Sequence, residues 1–340
     1  MNHEIDLSKY QIRTDLAIDV IDEKRHLKGV RQNIKNIDDI IVTDVYLKEN
    51  NALGKKSGNY ITIEFDDVTD SNNYSKVKNV VIKTLKKMLK RMNVKDNDIC
   101  LFIGLGNAKS TPDSLGPLCA KDIIVTNHIF ELGDLSEEFR RVCCITPGVT
   151  GTTGIETSDI ISSIVKKLKP DFIIAVDALA SQSIERVNKT IQMTDTGIHP
   201  GSGVGNERKE ISKETLNIPV LAIGIPTVVD ASVIVSDTIN YMYKHYSFSK
   251  AYMNNPKSKL TFNNVNYLKE NIDLNEDDKK ELFGLVGLLN DIEIKALINE
   301  VLTPIGYNLM VTPKEIDFVI PKLSSIISDS INTSIHHLKS

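Results

Sequence analysis

Two aspartates stand next to strongly apolar runs and are the first candidates for chemistry. Asp113 lies in a glycine-rich loop that follows the apolar residues 99–103, and Asp177 directly follows the apolar residues 172–176. Apolar runs of this length are typical of strands buried on both faces of a parallel sheet, and ligands bind at the carboxyl edge of such sheets. We therefore expect the two carboxylates to meet at that edge.

A pair of carboxylates predicts a specific chemistry. Two acids that share a site do not ionise together easily, so one keeps a proton while the other accepts a proton from water. This arrangement can hydrolyse an amide without a covalent intermediate. The spacing equally allows a structural interpretation, in which Asp113 and Asp177 each cap the helix that follows.

The triplet Asp195-Thr196-Gly197 looks like the signature of pepsin-type aspartic proteases. That fold needs two such triplets in an all-β chain, whereas this triplet occurs once in a chain with an α/β pattern. We therefore interpret it as a turn.

Two further loops are rich in glycine. Residues 199–206 resemble a phosphate-binding loop, but no Gly-Lys-Ser/Thr follows and no G-x-G-x-x-G is present, so nucleotide binding has little support. His199 could be a metal ligand, a general acid or base, or a structural residue. Residues 146–157 could expose backbone amides to a peptide or an oxyanion.

Covalent catalysis has the weaker support. No G-x-S-x-G motif is present, and the four cysteines have neither a C-x-x-C spacing nor a placed histidine. We expect them to be buried free thiols: Cys100, Cys119, Cys143 and Cys144.

Composition excludes only extreme classes. The chain has 340 residues, of which 41% are hydrophobic and 25% charged, and a formal net charge of -4 with a pI near 6.0. Direct nucleic-acid binding is therefore disfavoured. The acidic first residues lack the features of a signal peptide, and no apolar stretch approaches a membrane span. We expect a cytoplasmic protein.

The remaining elements must position these side chains. Alternating strands and helices predict an α/β fold with a mainly parallel twisted sheet and helices on both faces. An antiparallel hairpin precedes this pattern, and C-terminal helices follow it, the last opened by a capping box at residues 312–315. The first forty or so residues are predicted to be an extended arm, and polar residues 248–278 a mobile insertion or loop. The predicted strands are 40–47, 59–65, 99–103, 141–145, 172–176 and 219–224. The predicted helices include 73–92, one from Pro117 through Ile129, one capped by Thr157 or Ser158, and one from about 231 to 246.

Several of these stretches together resemble the spore germination endopeptidase family. The resemblance covers nearly the whole chain and departs from the family mainly near residues 248–278 and in parts of the hairpin. It rests on TPDSLGP (111–117), GVTGTTGIETSD (148–159), DALASQSIERVN (177–188), TDTGIHPGSGVGNERKEISKETL (194–216), GIPTVVDA (224–231) and NLMVTPKEID (308–317).

The resemblance implies an atypical aspartic endopeptidase without a cofactor, similar in fold to hydrogenase-maturation peptidases. Its substrates would be the small acid-soluble, DNA-binding proteins of the spore, degraded at germination. The family's two catalytic aspartates fall on Asp113 and Asp177. The resemblance also implies a homotetramer of the forespore and spore core, made as a zymogen that removes its own propeptide.

The segment at residues 13–19 looks like the acidic and apolar sites that the family cuts. We therefore predict autoprocessing between Asp15 and Leu16, with a propeptide of residues 1–15 and a single peptidase domain of residues 16–340.

Three alternatives remain open at this stage. Residues 104–107 followed by Asp113 look like the metal-binding loop of hydrogenase-maturation peptidases, so Asp113, Asp177 and His199 could hold a transition metal. The chain could instead bind spore proteins without cutting them. It could also be a small-molecule hydrolase or phosphorylase of related fold.

Overall fold

The computed structural model describes residues 27–53, 55–133, 138–200, 209–253, 275–302 and 309–336. These residues belong to two compact units, one built around residues 229–311 and the other around residues 13–228 with 312–340. The predicted peptidase domain, residues 16–340, spans both units. The predicted propeptide and its cleavage site at Asp15 and Leu16 lie outside the described residues.

The larger unit contains one mixed sheet. Its strand order is β1-β2-β3-β7-β8-β6-β4-β5. β9 pairs with the last two residues of β8, within the smaller unit. The strands are β1 Val30–Ile37, β2 Ile40–Leu47, β3 Gly58–Glu64, β4 Cys100–Gly104, β5 Val142–Ile145, β6 Phe172–Ser181, β7 Thr190–Thr194, β8 Val220–Asp230 and β9 Met310–Val311.

The predicted α/β class and its parallel sheet centre are confirmed. β4 is parallel to both β5 and β6, and the predicted hairpin is the antiparallel pair β2 and β3. The antiparallel part of the sheet is larger than predicted, because β1 and β7 extend it on the two sides of the hairpin. Residues 30–37 are therefore a strand and not part of an extended arm, since each of them pairs with β2.

Helices cover both faces of the larger unit's sheet. Side chains of β6 alternate between two cores, as expected for a strand. Ile174 and Val176 pack with the helices α1, α2 and α10, whereas Ile173 and Ala175 pack with α5. The helices are α1 Ser71–Arg91, α2 Leu115–Asp122, α3 Asn127–Leu132, α4 Thr150–Thr153, α5 Thr157–Leu168, α6 Lys213–Leu216, α7 Ala231–Met253, α8 Glu276–Phe283, α9 Asp291–Leu302 and α10 Ile316–Ile335.

Three predicted helix boundaries are wrong. The helix expected from Pro117 through Ile129 is two helices, because the backbone becomes extended at Ile123. The capping box at 312–315 does not form: α10 begins at Ile316, and the Thr312 hydroxyl donates to the Thr227 carbonyl. α7 continues to Met253 and α8 begins at Glu276, so both ends of the predicted insertion at 248–278 are helical. Residues 254–274 lie outside the described part.

The smaller unit consists mainly of helices in its described residues. α7 packs against α9, and α8 leads into a 3-10 turn, Gly284–Leu288. None of the helices in the described ranges is long and apolar enough to cross a membrane.

Candidate active site

The loop after β4 holds Asp113 close against the end of the sheet. Gly106 has a φ of 107°, in the region that favours glycine. The Asn107 amide donates to the Asp113 carbonyl at 2.9 Å, and the Asp113 amide donates to the Ser110 carbonyl at 2.9 Å. Asp113 ends a 3-10 turn, Thr111–Asp113, and is half-buried. Backbone hydrogen bonds within the loop therefore stabilise its conformation.

Asp177 lies inside β6 and not at its end. The strand continues for four residues to Ser181, so the predicted end at Val176 is wrong. Asp177 is 5% exposed, and its Oδ1 accepts a hydrogen bond from the Ala178 amide at 2.9 Å. The alternation of β6 side chains places Asp177 on the face that α5 covers. Buried carboxylates are uncommon, so this position is a strong candidate for chemistry.

The structure brings the two aspartate segments to one edge of the sheet. Gly104 pairs with Val176 in the parallel register, and the Leu105 amide donates to the Val176 carbonyl at 2.8 Å. The 3-10 turn that ends in Asp113 contacts β6. The segments that carry Asp113 and Asp177 are thus neighbours beside the carboxyl end of β4.

The structure contradicts the capping interpretation for both aspartates. No helix follows Asp177, because β6 continues beyond it. The residue that caps α2 is Ser114, and α2 receives no side-chain capping bond. Asp177 therefore caps no helix, and Asp113 is not the N-cap residue of α2.

His199 lies near this part of the sheet and contacts the carboxylate of Glu210. Its side chain is 49% exposed, and its Nε2 lies 3.6 Å from Oε1 of Glu210, which also pairs with Lys56. Ile198 packs against Leu179, two residues beyond Asp177, and exchanges two backbone hydrogen bonds with Ile211. The glycine-rich loop therefore begins and ends next to the strand that carries Asp177. Residues 201–208 of this loop lie outside the described residues.

The described ranges hold no group of three His, Cys, Asp or Glu side chains placed to bind a metal ion. The metal-binding alternative would require His199 to leave Glu210 and turn towards Asp113 and Asp177. That alternative stays a prediction, to be tested by chelation.

The Asp195 triplet has a structural role. Asp195 accepts hydrogen bonds from the Asn59 amide at 2.7 Å and from the Asn59 side chain at 2.6 Å. These bonds join the end of β7 to the start of β3. The interpretation as a turn, without a pepsin-type site, agrees with this arrangement.

The loop of residues 146–157 leaves the same sheet edge as the Asp113 loop. β5 is parallel to β4, with Ile103 paired to Ile145. The short helix α4 is exposed apart from the half-buried Thr150, and it precedes α5. Its position makes it a candidate to contact a ligand bound at that edge.

The cysteines are poor nucleophiles. All four are free, with Cys100 and Cys119 buried and Cys143 and Cys144 half-buried, so the prediction of buried thiols is confirmed for two of them. Burial raises the pKa of Cys144 to about 11, and burial also raises the pKa of Cys100, Cys119 and Cys143. Thiols with raised pKa values stay protonated at neutral pH, so covalent cysteine chemistry is disfavoured.

Sequence reasoning missed the partners that surround the site. Glu210 contacts both His199 and Lys56, and Lys56 is 154 residues away from it, with no local motif to link the two. Glu156, at the start of α5, likewise belongs to no catalytic motif in the sequence. Only its position after a glycine-rich loop at a strand end could have indicated it.

The fold and the site define a mixed α/β protein with two aspartates in neighbouring segments beside the carboxyl end of β4. Residues 9–339 match the germination protease family. The chain is 45% identical over 355 residues to a germination protease of Bacillus thuringiensis subsp. konkukian (strain 97-27), covering 99% of this chain and 97% of the relative. It is also 45% identical over 359 residues to one from Geobacillus sp. (strain WCH70), covering 99% and 96%.

The chain therefore belongs to the germination protease family and is a peptidase. One similar solved structure is a NiFe hydrogenase maturation protease from Thermococcus kodakarensis KOD1. It is 18% identical, with a TM-score of 0.28, and the match covers 41% of this chain and 80% of that one.

Proposed function

We propose that the chain is an aspartic endopeptidase that starts the degradation of small acid-soluble, DNA-binding spore proteins during germination. The observation that carries this proposal is the position of Asp113 and Asp177, two acids at one edge of β4 and β6. Asp177 is buried, and an acid is rarely buried without a functional or structural reason. One carboxyl group holds a proton while the other activates water against the peptide carbonyl.

Three further parts of the proposal rest on membership of the germination protease family and not on the geometry of the site. The chain is made as a zymogen in the forespore, acts in the spore core and forms a homotetramer. No covalent intermediate is needed, which agrees with the raised pKa values of the thiols. Incubation of the full chain with a purified small acid-soluble spore protein tests the substrate. If the spore protein stays intact after incubation with matured enzyme, the alternative that the chain binds spore proteins without cutting them would be favoured.

We expect the zymogen to cut itself between Asp15 and Leu16. The segment at 13–19 carries the acidic and apolar residues expected of a substrate site. Amino-terminal sequencing of protein matured at mildly acidic pH should give Leu16 as the first residue. The Asp113→Asn variant, treated in the same way, should keep its original terminus. A new first residue outside 12–18 would contradict the assignment.

Activity is expected to survive exhaustive chelation. The described residues contain no group of three His, Cys, Asp or Glu side chains placed to bind a metal ion. His199 contacts Glu210 instead. Cleavage of a spore protein should be measured before chelation, after chelation and after addition of divalent transition metals. Loss of cleavage that a metal restores would favour the metal-dependent alternative with Asp113, Asp177 and His199.

A further inference from the structure

Two buried oxygens at the start of α5 have no hydrogen-bond partner among the described residues. They are Glu156 Oε1 and Ser158 Oγ. Ser158 is only 8% exposed, and the other oxygen of Glu156 accepts a long hydrogen bond of 3.3 Å from Thr150 Oγ1. Buried polar atoms in native proteins are nearly always paired, so two neighbouring exceptions indicate a missing partner.

One of the two oxygens needs a hydrogen-bond acceptor as its partner, and the other needs a donor. The hydroxyl of Ser158 can donate to a carbonyl, and the carboxylate of Glu156 accepts from an N–H group. Both belong to the amino-terminal end of a twelve-residue helix whose capping residue, Glu156, makes no side-chain capping bond. The first amides of a helix point outward and add further donors there. A peptide backbone presents one carbonyl and one N–H per residue, and so matches this pair.

The pair belongs to the sheet edge of the two aspartates. β5 ends in register with β4, because Ile145 pairs with Ile103, and the connection from β5 to α5 leaves from that end. β6, which carries Asp177, is the other parallel neighbour of β4. A peptide bound along this edge can reach α5 and the aspartates together.

A short flap, residues 148–155, lies against the start of α5 and its two oxygens. Gly148 and Gly154, with φ of 75° and 70°, flank the exposed helix α4 within it. Two long side-chain bonds tie it to the start of α5: the Thr157 hydroxyl donates to the Gly148 carbonyl at 3.2 Å, and Thr150 donates to Glu156 at 3.3 Å. Because the bonds from the flap to the rest of the described residues are few and long, we expect the flap to move at little cost to core packing.

We propose that Glu156 and Ser158 form a subsite that binds the backbone of the substrate peptide once the flap moves aside. Glu156 accepts a backbone N–H of the peptide, and Ser158 donates to a backbone carbonyl. This inference rests on the proposed function, because it takes the peptide cut at Asp113 and Asp177 as the ligand. The two residues position the substrate and do not take part in the chemical step.

Kinetics of Ser158→Ala and Glu156→Ala test the subsite. Each variant removes the bonding group, whereas the amide oxygen of Glu156→Gln could still accept. In each, KM for a spore protein is expected to rise by about tenfold, the effect of one lost hydrogen bond, with kcat within about a factor of two. The matched control is Ser163→Ala on the same helix, whose hydroxyl donates to the Asp159 carbonyl at 2.8 Å on the exposed side. It should leave both constants unchanged.

Thermal melting separates binding from a structural role. Ser158→Ala removes a hydroxyl that has no partner in the described structure, so its melting temperature should be equal to or above that of the parent. A lower melting temperature together with a lower kcat would overturn the subsite and assign Ser158 to folding. An unchanged KM in both variants would also overturn it, leaving only a buried water between the two oxygens.

A binding measurement distinguishes failure of the subsite from failure of the proposed function. A labelled peptide with the sequence of residues 10–21 is titrated into the full-length Asp113→Asn protein, with and without Ser158→Ala, and followed by fluorescence anisotropy. The double variant should bind about tenfold more weakly. Equal affinities contradict the subsite even if the parent enzyme cleaves spore proteins. A parent that fails to cleave them contradicts the proposed function, whatever the affinities show.

Discussion

Replacing Asp177 by asparagine is expected to lower kcat for spore-protein cleavage by about 10²- to 10⁴-fold, the usual contribution of a general acid or base. The Asp177→Asn substitution keeps the shape of the side chain, and the new amide oxygen could still accept from the Ala178 amide, as Oδ1 of Asp177 does at 2.9 Å. The fold should therefore be preserved while the ability to take a proton from water is lost. Asp113→Asn should have an effect of the same size, since in the proposed mechanism the two carboxylates share one proton.

The losses of kcat caused by Asp113→Asn and Asp177→Asn should not be additive. When two residues act together in one chemical step, the first substitution already removes most of their joint contribution to the rate. The double variant should therefore be little slower than either single variant. Initial rates with a purified spore protein, together with melting temperatures, are the measurement. If either variant cleaves as fast as the parent, the aspartic pair is wrong.

Asp195→Asn is the matched control for this experiment. Asp195 holds Asn59 through two hydrogen bonds, and the asparagine side chain can replace only one of its accepting oxygens. We expect a loss of stability of about 1 kcal/mol with unchanged kcat. A large loss of kcat in this variant would instead favour the pepsin-type interpretation of the triplet.

The parallel centre of the sheet could be predicted because its strands are apolar throughout. A strand buried on both faces leaves a run of apolar residues that no surface strand shows, and β4 lies within one residue of its predicted position. The body and the end of α5 were also predicted well, since its apolar face is regular and Pro170 follows its end. The predicted cap was wrong, because the N-cap residue is Glu156 and not Thr157 or Ser158. The candidate aspartates were found because they follow such runs.

Other elements depend on contacts distant in sequence. β1 has a mostly exposed burial pattern, so its sequence carries little apolar periodicity, and its identity as a strand depends on pairing with β2. The extension of β6 past Asp177 was not predicted because Asp177 looks like the end of an apolar run. The ion pair between Lys56 and Glu210 joins residues that no local pattern connects. Such features follow from the tertiary fold and not from local propensity.

Close packing around Gly116 makes Gly116→Ala the most damaging small substitution that we expect near the site. A Cβ at this position would lie 2.2 Å from the Leu105 carbonyl oxygen, 2.4 Å from the Leu105 nitrogen and 2.6 Å from the Val176 carbonyl oxygen. All three are backbone atoms of the segments that carry the aspartates, so no side-chain rotation relieves the overlap. The free energy of unfolding should fall by about 3 kcal/mol, at the upper end for overpacked cores.

The same substitution should also reduce catalysis in the protein that still folds. α2 would have to move away from β6, and the turn that ends in Asp113 directly precedes α2. The distance between the two carboxyl groups would then change, and displacements of about 1 Å near a site cost roughly 10²-fold in rate. Urea unfolding followed by initial rates below the transition separates the two effects.

Gly151→Ala provides the comparison on the same sheet edge. A Cβ at Gly151 meets no atom within 4 Å, and the residue lies within α4, where alanine favours the helix over glycine. Its free energy of unfolding should stay the same or rise slightly, with unchanged kcat. If Gly116→Ala and Gly151→Ala behaved alike, the contact between α2 and β6 could not be what sets the separation of Asp113 and Asp177. A loss confined to Gly116→Ala would show that this backbone contact holds the two acids in place.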